Sequence, residues 1–288
     1  MLRLALIGHG AWGQKIARTL QSFENIDVRV IAKEEDAGET DGVVVATPSA
    51  THAAVALPYI ERGVPTFIEK PLATSVADAE RIAAAARASK SLVFVGHLYV
   101  HHPGFVAFYS ALPRIGRIKS IVCEGMNGSP RSDSSVLWDW LPHHLSMAHV
   151  IMERAPTSVA AQRTDKQNGE LPAAATVVYQ FDTVPLQCTV SWTAREKHMN
   201  MVVSGEAGTL VFDDTLEEKV SITLAGGVRQ VIPAIMEPPL PRELRAFVDA
   251  VKVRAAHDES LDLGVAIVRE IAAGEESIRR GESIEIES

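Results

Sequence analysis

Short, mostly apolar runs recur through the N-terminal third of the chain. They have the length of single strands and occupy residues 2–7, 26–32, 42–46, 66–68 and 92–96. A short run that is mostly apolar indicates a strand that is covered on both faces, as in a parallel sheet with helices on either side. We therefore expect five strands of one parallel sheet in this part of the chain.

Segments of helical character lie between these runs. After the first strand, apolar residues recur at the spacing of one helix face, at Trp12, Ile16, Ala17 and Leu20. Residues 50–62 also have helical composition, although Pro58 is expected to kink or interrupt that helix. Ser75 is placed to cap an alanine-rich helix that ends near Ala88. This alternation of strands and helices predicts a doubly wound α/β sheet.

From about residue 117 the pattern changes to longer β-rich stretches. They occupy residues 117–124, 174–181, 186–193 and 199–204. Polar and apolar side chains alternate clearly over residues 176–181, which predicts an antiparallel sheet with one covered face. A proline-rich stretch then leads into a predicted helix over residues 243–253. The C-terminal part is therefore predicted to be an α+β domain with an open, mostly antiparallel sheet.

A glycine-rich segment directly follows the first predicted strand. Its glycines have the spacing G-x-G-x-x-G, and the segment opens a predicted helix, which is the context of a dinucleotide-binding loop. Glycine permits a tight turn and a close approach of the backbone to a pyrophosphate, whose charge the helix N-terminus favours. We predict that this loop binds NAD or NADP through Gly8, Gly10, Ala11, Trp12 and Gly13.

The residue that determines the preference for NAD or NADP is expected roughly 20 positions after the loop. Lys33 stands there and is followed by Glu34, Glu35 and Asp36. Lys33 could attract a 2′-phosphate and favour NADP, Glu34 could bond the ribose of NAD, and a solvated turn is the third alternative.

The second βαβ unit of the N-terminal sheet is trimmed. About ten residues separate the second predicted strand from the third, too few for a helix and another strand. We therefore expect an open adenine end of the cofactor site. The predicted domains are a trimmed Rossmann NAD(P)-binding domain over residues 1–114 and an α+β domain for substrate binding and oligomerisation over residues 115–288.

Four blocks of the sequence resemble the Gfo/Idh/MocA family of oxidoreductases. They are the glycine loop, Ala46-Thr47-Pro48 with Thr51-His52, Glu69-Lys70-Pro71, and Asp139-x-x-x-His143. Residues 137–146, with Gly96-His97, His102-Pro103 and Arg131-Ser132-Asp133, are most similar to the nucleotide-sugar dehydrogenase branch. The resemblance covers nearly the whole chain. It implies an NAD(P)-dependent dehydrogenase acting on a secondary hydroxyl of a sugar, cyclitol or nucleotide sugar.

Oxidation of a secondary alcohol needs a base for the hydroxyl proton and a nicotinamide for the hydride. His143 is the predicted base, and Asp139, one helical turn earlier, would orient its ring. Lys70 follows an apolar strand and would hydrogen-bond the reacting oxygen. The family resemblance implies the same roles for Lys70 and His143. The alternatives are a polar pair that satisfies a helix terminus and an ordinary surface lysine.

The remaining candidate residues fall into two groups. Beside the glycine loop and Lys33, the cofactor is expected to contact Thr47, Pro48, His52, Glu69 and Lys70, with His52 alternatively a first-turn residue of a helix. The substrate is expected to contact Lys70, His97, Asn127, Arg131, His143 and His144. His144 departs from the aspartate that is usual in the branch that the chain resembles, which puts the substrate in doubt.

Composition and charge exclude several other classes of protein. The net charge of −8 argues against a nucleic-acid partner, and no apolar stretch is long enough to span a membrane. The two cysteines lie in strand-like sequence and favour a reducing, cytoplasmic location. His143 and His144 lie six and five residues before His149, so neither pair has the i,i+4 spacing of a helical zinc site, and we predict no metal.

Two alternative functions remain open. The family that the chain resembles includes a galactose-pathway repressor, so a non-enzymatic NAD(P)-binding regulator is one alternative. An NAD-dependent glycosidase is the other. We also expect a homodimer or homotetramer formed through the C-terminal sheet.

Overall fold

The computed structural model of the chain describes residues 1–32, 37–130, 134–165 and 171–286. The chain divides into two compact units, Met1–Leu98 with Pro238–Val268, and Tyr99–Glu237 with Arg269–Ser288. A C-terminal segment is thus part of the first unit. The domain boundary after residue 114 stays a prediction. The first compact unit instead ends at Leu98 and resumes at Pro238.

The described residues form fourteen strands and seven α-helices. The strands β1 to β14 are Leu2–Ile7, Ile26–Ile31, Gly42–Val45, Thr66–Glu69, Val93–Gly96, Ile118–Met126, Ser158–Arg163, Ala174–Phe181, Val184–Ser191, His198–Gly205, Gly208–Asp213, Val220–Leu224, Gln230–Val231 and Ile284–Glu285. The helices α1 to α7 are Ala11–Gln21, His52–Glu61, Val76–Ser89, Pro103–Ala111, Val136–Met152, Pro239–Lys252 and Glu259–Arg280.

The first unit contains a parallel sheet of five strands in the order β2-β1-β3-β4-β5. The predicted strands, their parallel pairing and the doubly wound fold are therefore confirmed. The described residues between β2 and β3 contain no helix, as expected for a trimmed second unit. All five strands end at the same edge, where the ligands of open α/β sheets bind.

The helices of this unit follow the local sequence signals. The Ser75 side chain accepts a hydrogen bond of 3.1 Å from the Asp78 N–H, which confirms the predicted N-cap of α3. Helix α2 continues through Pro58, so the proline does not interrupt it.

Helix α6 completes the core of the first unit. The ring of Phe247 packs edge-on against Phe67 at 5.6 Å and against Phe94 at 6.0 Å between ring centroids. Gly42 lies in the same core, where a Cβ would be 3.1 Å from the Leu4 side chain and 3.4 Å from the Phe247 ring. The boundary predicted after residue 114 assigns α6 to the second domain, whereas its apolar face is buried in the first unit.

The second unit contains a nine-stranded sheet in the order β13-β12-β11-β10-β6-β9-β8-β7-β14, counted over the described residues. Its pairs are antiparallel except for β6 with β9, which run parallel. Alternate residues such as Ile121 and Cys123 face the covered side, where α5 packs, and Val122 faces away. The predicted open, mostly antiparallel sheet is confirmed.

The position of α6 predicts a large cost for truncating its central aromatic ring. Phe247→Ala should lower the free energy of unfolding by about 3–5 kcal/mol, because a buried aromatic side chain leaves a cavity. Val253→Ala, at a side chain that is 76% exposed just after α6, should change it by less than about 0.5 kcal/mol. Denaturant unfolding followed by circular dichroism measures both variants. Equal effects would contradict the burial of α6 in this core.

Candidate active-site residues

The glycine loop is held against the sheet by backbone contacts that exclude side chains. Gly8 has a φ of +104°, and a Cβ there would lie 2.4 Å from the Ala46 carbonyl oxygen. A Cβ on Gly13 would lie 2.0 Å from the Gly8 carbonyl oxygen. Two of the three glycines are therefore required by packing within the chain itself.

Gly10 differs from these two glycines because no atom lies within 4 Å of the position of its Cβ. It is the N-cap residue of α1, and no side chain caps this helix. The first N–H groups of an uncapped helix attract an anion. The open cradle at Gly10 and Ala11 therefore fits the pyrophosphate of a dinucleotide.

Trp12 links the glycine loop to the end of β4. Its indole Nε1–H donates a hydrogen bond of 2.5 Å to Oε1 of Glu69. Burial raises the pKa of Glu69 to about 7, although the bond from Trp12 and the charge of Lys70 oppose the rise. In the structure this carboxyl group bonds a side chain of the loop, and its predicted contact with the cofactor stays a prediction.

His52 joins two of the loops at the carboxyl edge of the sheet. Its buried ring lies with Nδ1 2.8 Å from the Pro71 carbonyl oxygen and Nε2 2.9 Å from the Thr47 carbonyl oxygen. A carbonyl oxygen only accepts hydrogen bonds. A ring nitrogen of His52 therefore bonds its carbonyl only when that nitrogen carries a proton. His52 is also the first residue of α2, which is the alternative placement that the sequence allows. Its ring therefore positions the two loops.

The predicted residues of the first unit follow neighbouring strands. The glycine loop follows β1, Thr47 and Pro48 follow β3, and Lys70 follows β4. His97 follows β5 and is buried. Its backbone N–H donates a hydrogen bond of 2.8 Å to the Val95 carbonyl oxygen. Because parallel strands end at one edge, the structure brings these residues to the same side of the first unit.

Asp139 and His143 lie one turn apart on α5, as the sequence predicts. Oδ2 of Asp139 accepts a hydrogen bond of 3.0 Å from the Trp192 indole, which fixes the carboxylate on the helix surface. The ring of His143 is half-buried. It is therefore accessible from solvent, but its neighbours limit its rotation.

The ring of His143 meets an aromatic neighbour from a distant part of the sequence. The rings of Tyr99 and His143 form a T-shaped pair, with 4.9 Å between their centroids. The Tyr99 hydroxyl donates to Oδ2 of Asp214 at 3.1 Å, and His102 Nε2 lies 3.1 Å from the other oxygen. This arrangement restricts the orientation of His143.

Asp214 is the charged centre of this arrangement. Burial opposes its ionisation, but the hydrogen bonds from His102 and Lys219 outweigh burial and hold the pKa of Asp214 well below its usual range. Sequence reasoning missed Tyr99 and Asp214. Tyr99 lies near the Gly96-His97 block, but no signal in the sequence connects Asp214 with His143.

The buried position of His144 does not support the predicted contact of this residue with the substrate. This residue follows His143 on α5, and successive helical residues point about 100° apart. Its ring is fully buried against the sheet, where a Cβ on Gly125 would lie 2.7 Å from its Cε1. The presence of His144 instead of the expected aspartate therefore changes the core between α5 and the sheet.

Three further predictions concern Asn127, Lys33 and Arg131. Asn127 closes its own turn after β6, with Oδ1 accepting from the Ser129 N–H at 3.0 Å. Lys33 and Arg131 lie outside the described residues. Over residues 1–32, 37–130, 134–165 and 171–286, no three His, Cys, Asp or Glu side chains form a group that could hold a metal ion.

Two family models match the chain. One, described as "Oxidoreductase family, NAD-binding Rossmann fold", matches residues 13–97. The other, the "GFO/IDH/MocA C-terminal domain", matches residues 114–211. Fold and site together define an NAD-binding oxidoreductase. The chain belongs to the GFO/IDH/MocA oxidoreductase family.

Individual relatives agree with this assignment. Inositol 2-dehydrogenase of Rhizobium meliloti (strain 1021) is 25% identical over 254 residues, which are 82% of this chain and 76% of that enzyme. UDP-N-acetylglucosamine 3-dehydrogenase of Acidithiobacillus ferrooxidans is 29% identical over 125 residues, or 43% of this chain and 39% of that enzyme.

A solved structure is similar over nearly the full length. It is the crystal structure of an inferred oxidoreductase from Magnetospirillum magnetotacticum MS-1, which is 31% identical. The match covers 94% of this chain and 98% of that chain, with a TM-score of 0.84. The predicted family, fold class, enzyme class and nicotinamide dinucleotide are confirmed by these comparisons. In the part of the chain that the structure describes, no helix is long and apolar enough to cross a membrane.

The packing of the loop predicts a large loss of stability for one glycine substitution and a small loss for another. Gly13→Ala should destabilise the protein by about 3 kcal/mol or more, because the new Cβ meets a backbone oxygen that cannot rotate away. Gly10→Ala should cost less than about 1 kcal/mol, because its Cβ enters open space. Thermal unfolding of both variants without cofactor makes the comparison, and similar melting temperatures would show that the contact at Gly13 is not tight.

Proposed function

We propose that this protein transfers a hydride between NAD or NADP and a secondary hydroxyl group of a cyclitol, sugar or nucleotide sugar. The observation that carries the proposal is the restrained His143, whose ring forms a T-shaped pair with Tyr99 at 4.9 Å between centroids. A protein that only binds a dinucleotide has no need of an oriented base. Inositol and UDP-N-acetylglucosamine, named in two relatives, are the substrate types to test first.

The residues of the first unit would hold the dinucleotide. The N–H groups at Gly10 and Ala11 would bind the pyrophosphate, and Thr47 and Pro48 would line the next part of the cofactor. The bound nicotinamide supplies the acceptor for the hydride. Lys33 remains the residue on which the choice between NAD and NADP is expected to depend.

The catalytic roles follow from the chemistry of alcohol oxidation. His143 takes the hydroxyl proton, and Asp139 stabilises the imidazolium that forms. Lys70 donates a hydrogen bond to the reacting oxygen and so lowers the cost of its developing negative charge. His97, Asn127 and Arg131 remain candidates for contacts with the substrate.

The regulator and the glycosidase are less well supported than a dehydrogenase. A regulator would bind the dinucleotide without turnover, and an NAD-dependent glycosidase would release product without net reduction of NAD. Net formation of reduced nicotinamide from a secondary alcohol separates the three functions. A cytoplasmic location stays a prediction from the composition.

Removal of the base should separate catalysis from cofactor binding. His143→Ala should lower kcat by about 10²-fold or more, because general-base catalysis contributes roughly 10²–10⁴-fold, and should leave the Kd for NAD nearly unchanged. Reduced nicotinamide is followed by absorbance with myo-inositol and UDP-N-acetylglucosamine, and Kd by calorimetry. The matched control is His257→Ala, between α6 and α7, at a side chain that is 57% exposed. Loss of NAD binding in the His143 variant would mean a structural role instead.

We propose further that the protein is a homo-oligomer assembled through the open face of the C-terminal sheet. Val211, Val202 and Val122 lie side by side across three strands on the face opposite α5. Such an apolar row is typical of a self-associating sheet surface.

A charge on this row should dissociate the oligomer. Val122→Lys, at a side chain that is 39% exposed, should give a monomer in light scattering. Val106→Lys, on helix α4 and 44% exposed, should leave the mass of the wild type unchanged. A wild-type monomer, or an unchanged mass for Val122→Lys, would contradict assembly through this face.

A further inference from the structure

The loop between β9 and β10, residues 192–197, begins with a hydrogen bond to the helix that carries the proposed base. Its first residue is Trp192, whose indole N–H donates a bond of 3.0 Å to Oδ2 of Asp139. Asp139 lies one turn before His143 on α5. The start of the loop therefore contacts the predicted partner of the base.

The last residue of the loop, Lys197, returns to the surroundings of the same base. Its ammonium group lies 3.4 Å from Oδ2 of Asp214, the oxygen that also accepts the 3.1 Å bond from the Tyr99 hydroxyl. The Tyr99 ring forms the T-shaped pair with His143. Burial, followed by the charge of Asp214, raises the pKa of Tyr99 well above its ordinary value, so this hydroxyl is uncharged. One carboxylate oxygen and one neutral ring therefore connect the Lys197 ammonium to His143.

Asp214 has other partners that keep it ionised. Its Oδ1 lies 3.1 Å from the Lys219 ammonium and 3.1 Å from Nε2 of His102. Nδ1 of His102 accepts a bond of 2.9 Å from the Gly104 N–H, so the ring is neutral and its proton is on Nε2, facing Asp214. Burial opposes the ionisation of Asp214, and the bonds from His102 and Lys219 lower its pKa more than the charge of Lys197 does. Asp214 therefore does not depend on Lys197 for its charge.

The hydrogen-bonded cluster around Asp214 carries an excess of positive charge, because two ammonium groups face one carboxylate. Lys197 is the more accessible of the two, with a side chain that is 54% exposed against 21% for Lys219. The other charged residues of the loop, Arg195 and Glu196, have opposite signs. An ammonium group has three N–H donors, and the contact with Asp214 uses one. Lys197 can therefore bind an anion that approaches from solvent.

The turn after β6 lies against the same loop. The Asn127 N–H donates a bond of 2.9 Å to the Ser191 carbonyl oxygen, and a Cβ on Gly128 would lie 3.1 Å from the Ala194 carbonyl oxygen. Asn127 is one of the residues predicted to contact the substrate. The loop of Lys197 and the turn of Asn127 thus form one polar surface in the second unit.

We propose that Lys197 is a specificity-determining residue that binds an anionic group of the substrate, a phosphate or a carboxylate, while the reacting hydroxyl lies at His143. Lysine binds such groups as a point charge. The proposal rests on the proposed function and narrows it, because it favours sugars that carry a negative charge over neutral cyclitols and neutral sugars.

Two substitutions separate the charge of Lys197 from its length. Lys197→Met keeps a flexible apolar chain without the charge, and Lys197→Arg keeps the charge. The matched control is Lys252→Met on α6, at a side chain that is 53% exposed and also pairs with a carboxylate, that of Asp249 at 3.1 Å. For each protein, kcat and KM are measured with NAD and UDP-N-acetylglucosamine, glucuronate, N-acetylglucosamine or myo-inositol. Calorimetry gives the Kd for UDP-N-acetylglucosamine, and thermal unfolding confirms that each variant is folded.

We expect Lys197→Met to lower kcat/KM for an anionic substrate by about tenfold or more, mainly through KM, because a hydrogen bond to a charged group is lost. Its kcat/KM for the two neutral substrates should stay within about twofold of the wild type. Lys197→Arg should retain most of the activity with the anionic substrate, and Lys252→Met should match the wild type. A loss confined to UDP-N-acetylglucosamine identifies the bound group as phosphate, and a loss confined to glucuronate identifies it as carboxylate.

The proposal is overturned if Lys197→Met retains the activity of the wild type with both anionic substrates. It is equally overturned by the same loss for charged and neutral substrates, which would mean that Lys197 only supports Asp214 and Tyr99. If the wild type reduces NAD with none of the four compounds, the proposed function fails with these substrates, and the Kd values still decide on Lys197. An equal Kd for UDP-N-acetylglucosamine in the wild type and in Lys197→Met would then refute the anion site.

Discussion

The candidate site depends on a close approach of the backbone between the glycine loop and the edge of the parallel sheet. Gly8 and Gly13 meet carbonyl oxygens at distances that exclude any side chain. This contact sets the start of α1 close to the end of β3, and the bond from Trp12 to Glu69 holds the same helix to β4. The N–H groups that we propose to bind a phosphate are therefore fixed before a ligand arrives, so binding need not supply the energy to order them.

Both units position their functional groups through neighbours that are distant in the sequence. In the first, His52 joins the loops after β3 and β4 through two carbonyl oxygens. In the second, Tyr99 and Asp214 restrain His143 from outside its own helix. The residues that carry the chemistry are few, whereas the residues that orient them are spread over most of the chain.

Sequence reasoning was reliable where the signal is local. The strands, the cap at Ser75 and the glycine loop depend on neighbouring residues, and the spacing of Asp139 and His143 places them on one helical face. It failed where contacts span a long separation, because an amphipathic α6 indicates a buried face without saying which sheet covers it. The burial of His144 could have been expected from the sequence, since the phase of α5 already turns this residue away from His143.

The most direct test of the account is a crystal structure of the chain with bound NAD. The account predicts the pyrophosphate at the N–H groups of Gly10 and Ala11, with the indole of Trp12 still bonded to Glu69. The nicotinamide should lie at the carboxyl edge of the parallel sheet, near Lys70. A dinucleotide bound away from the start of α1, or a loop that must unfold to admit it, would contradict the account.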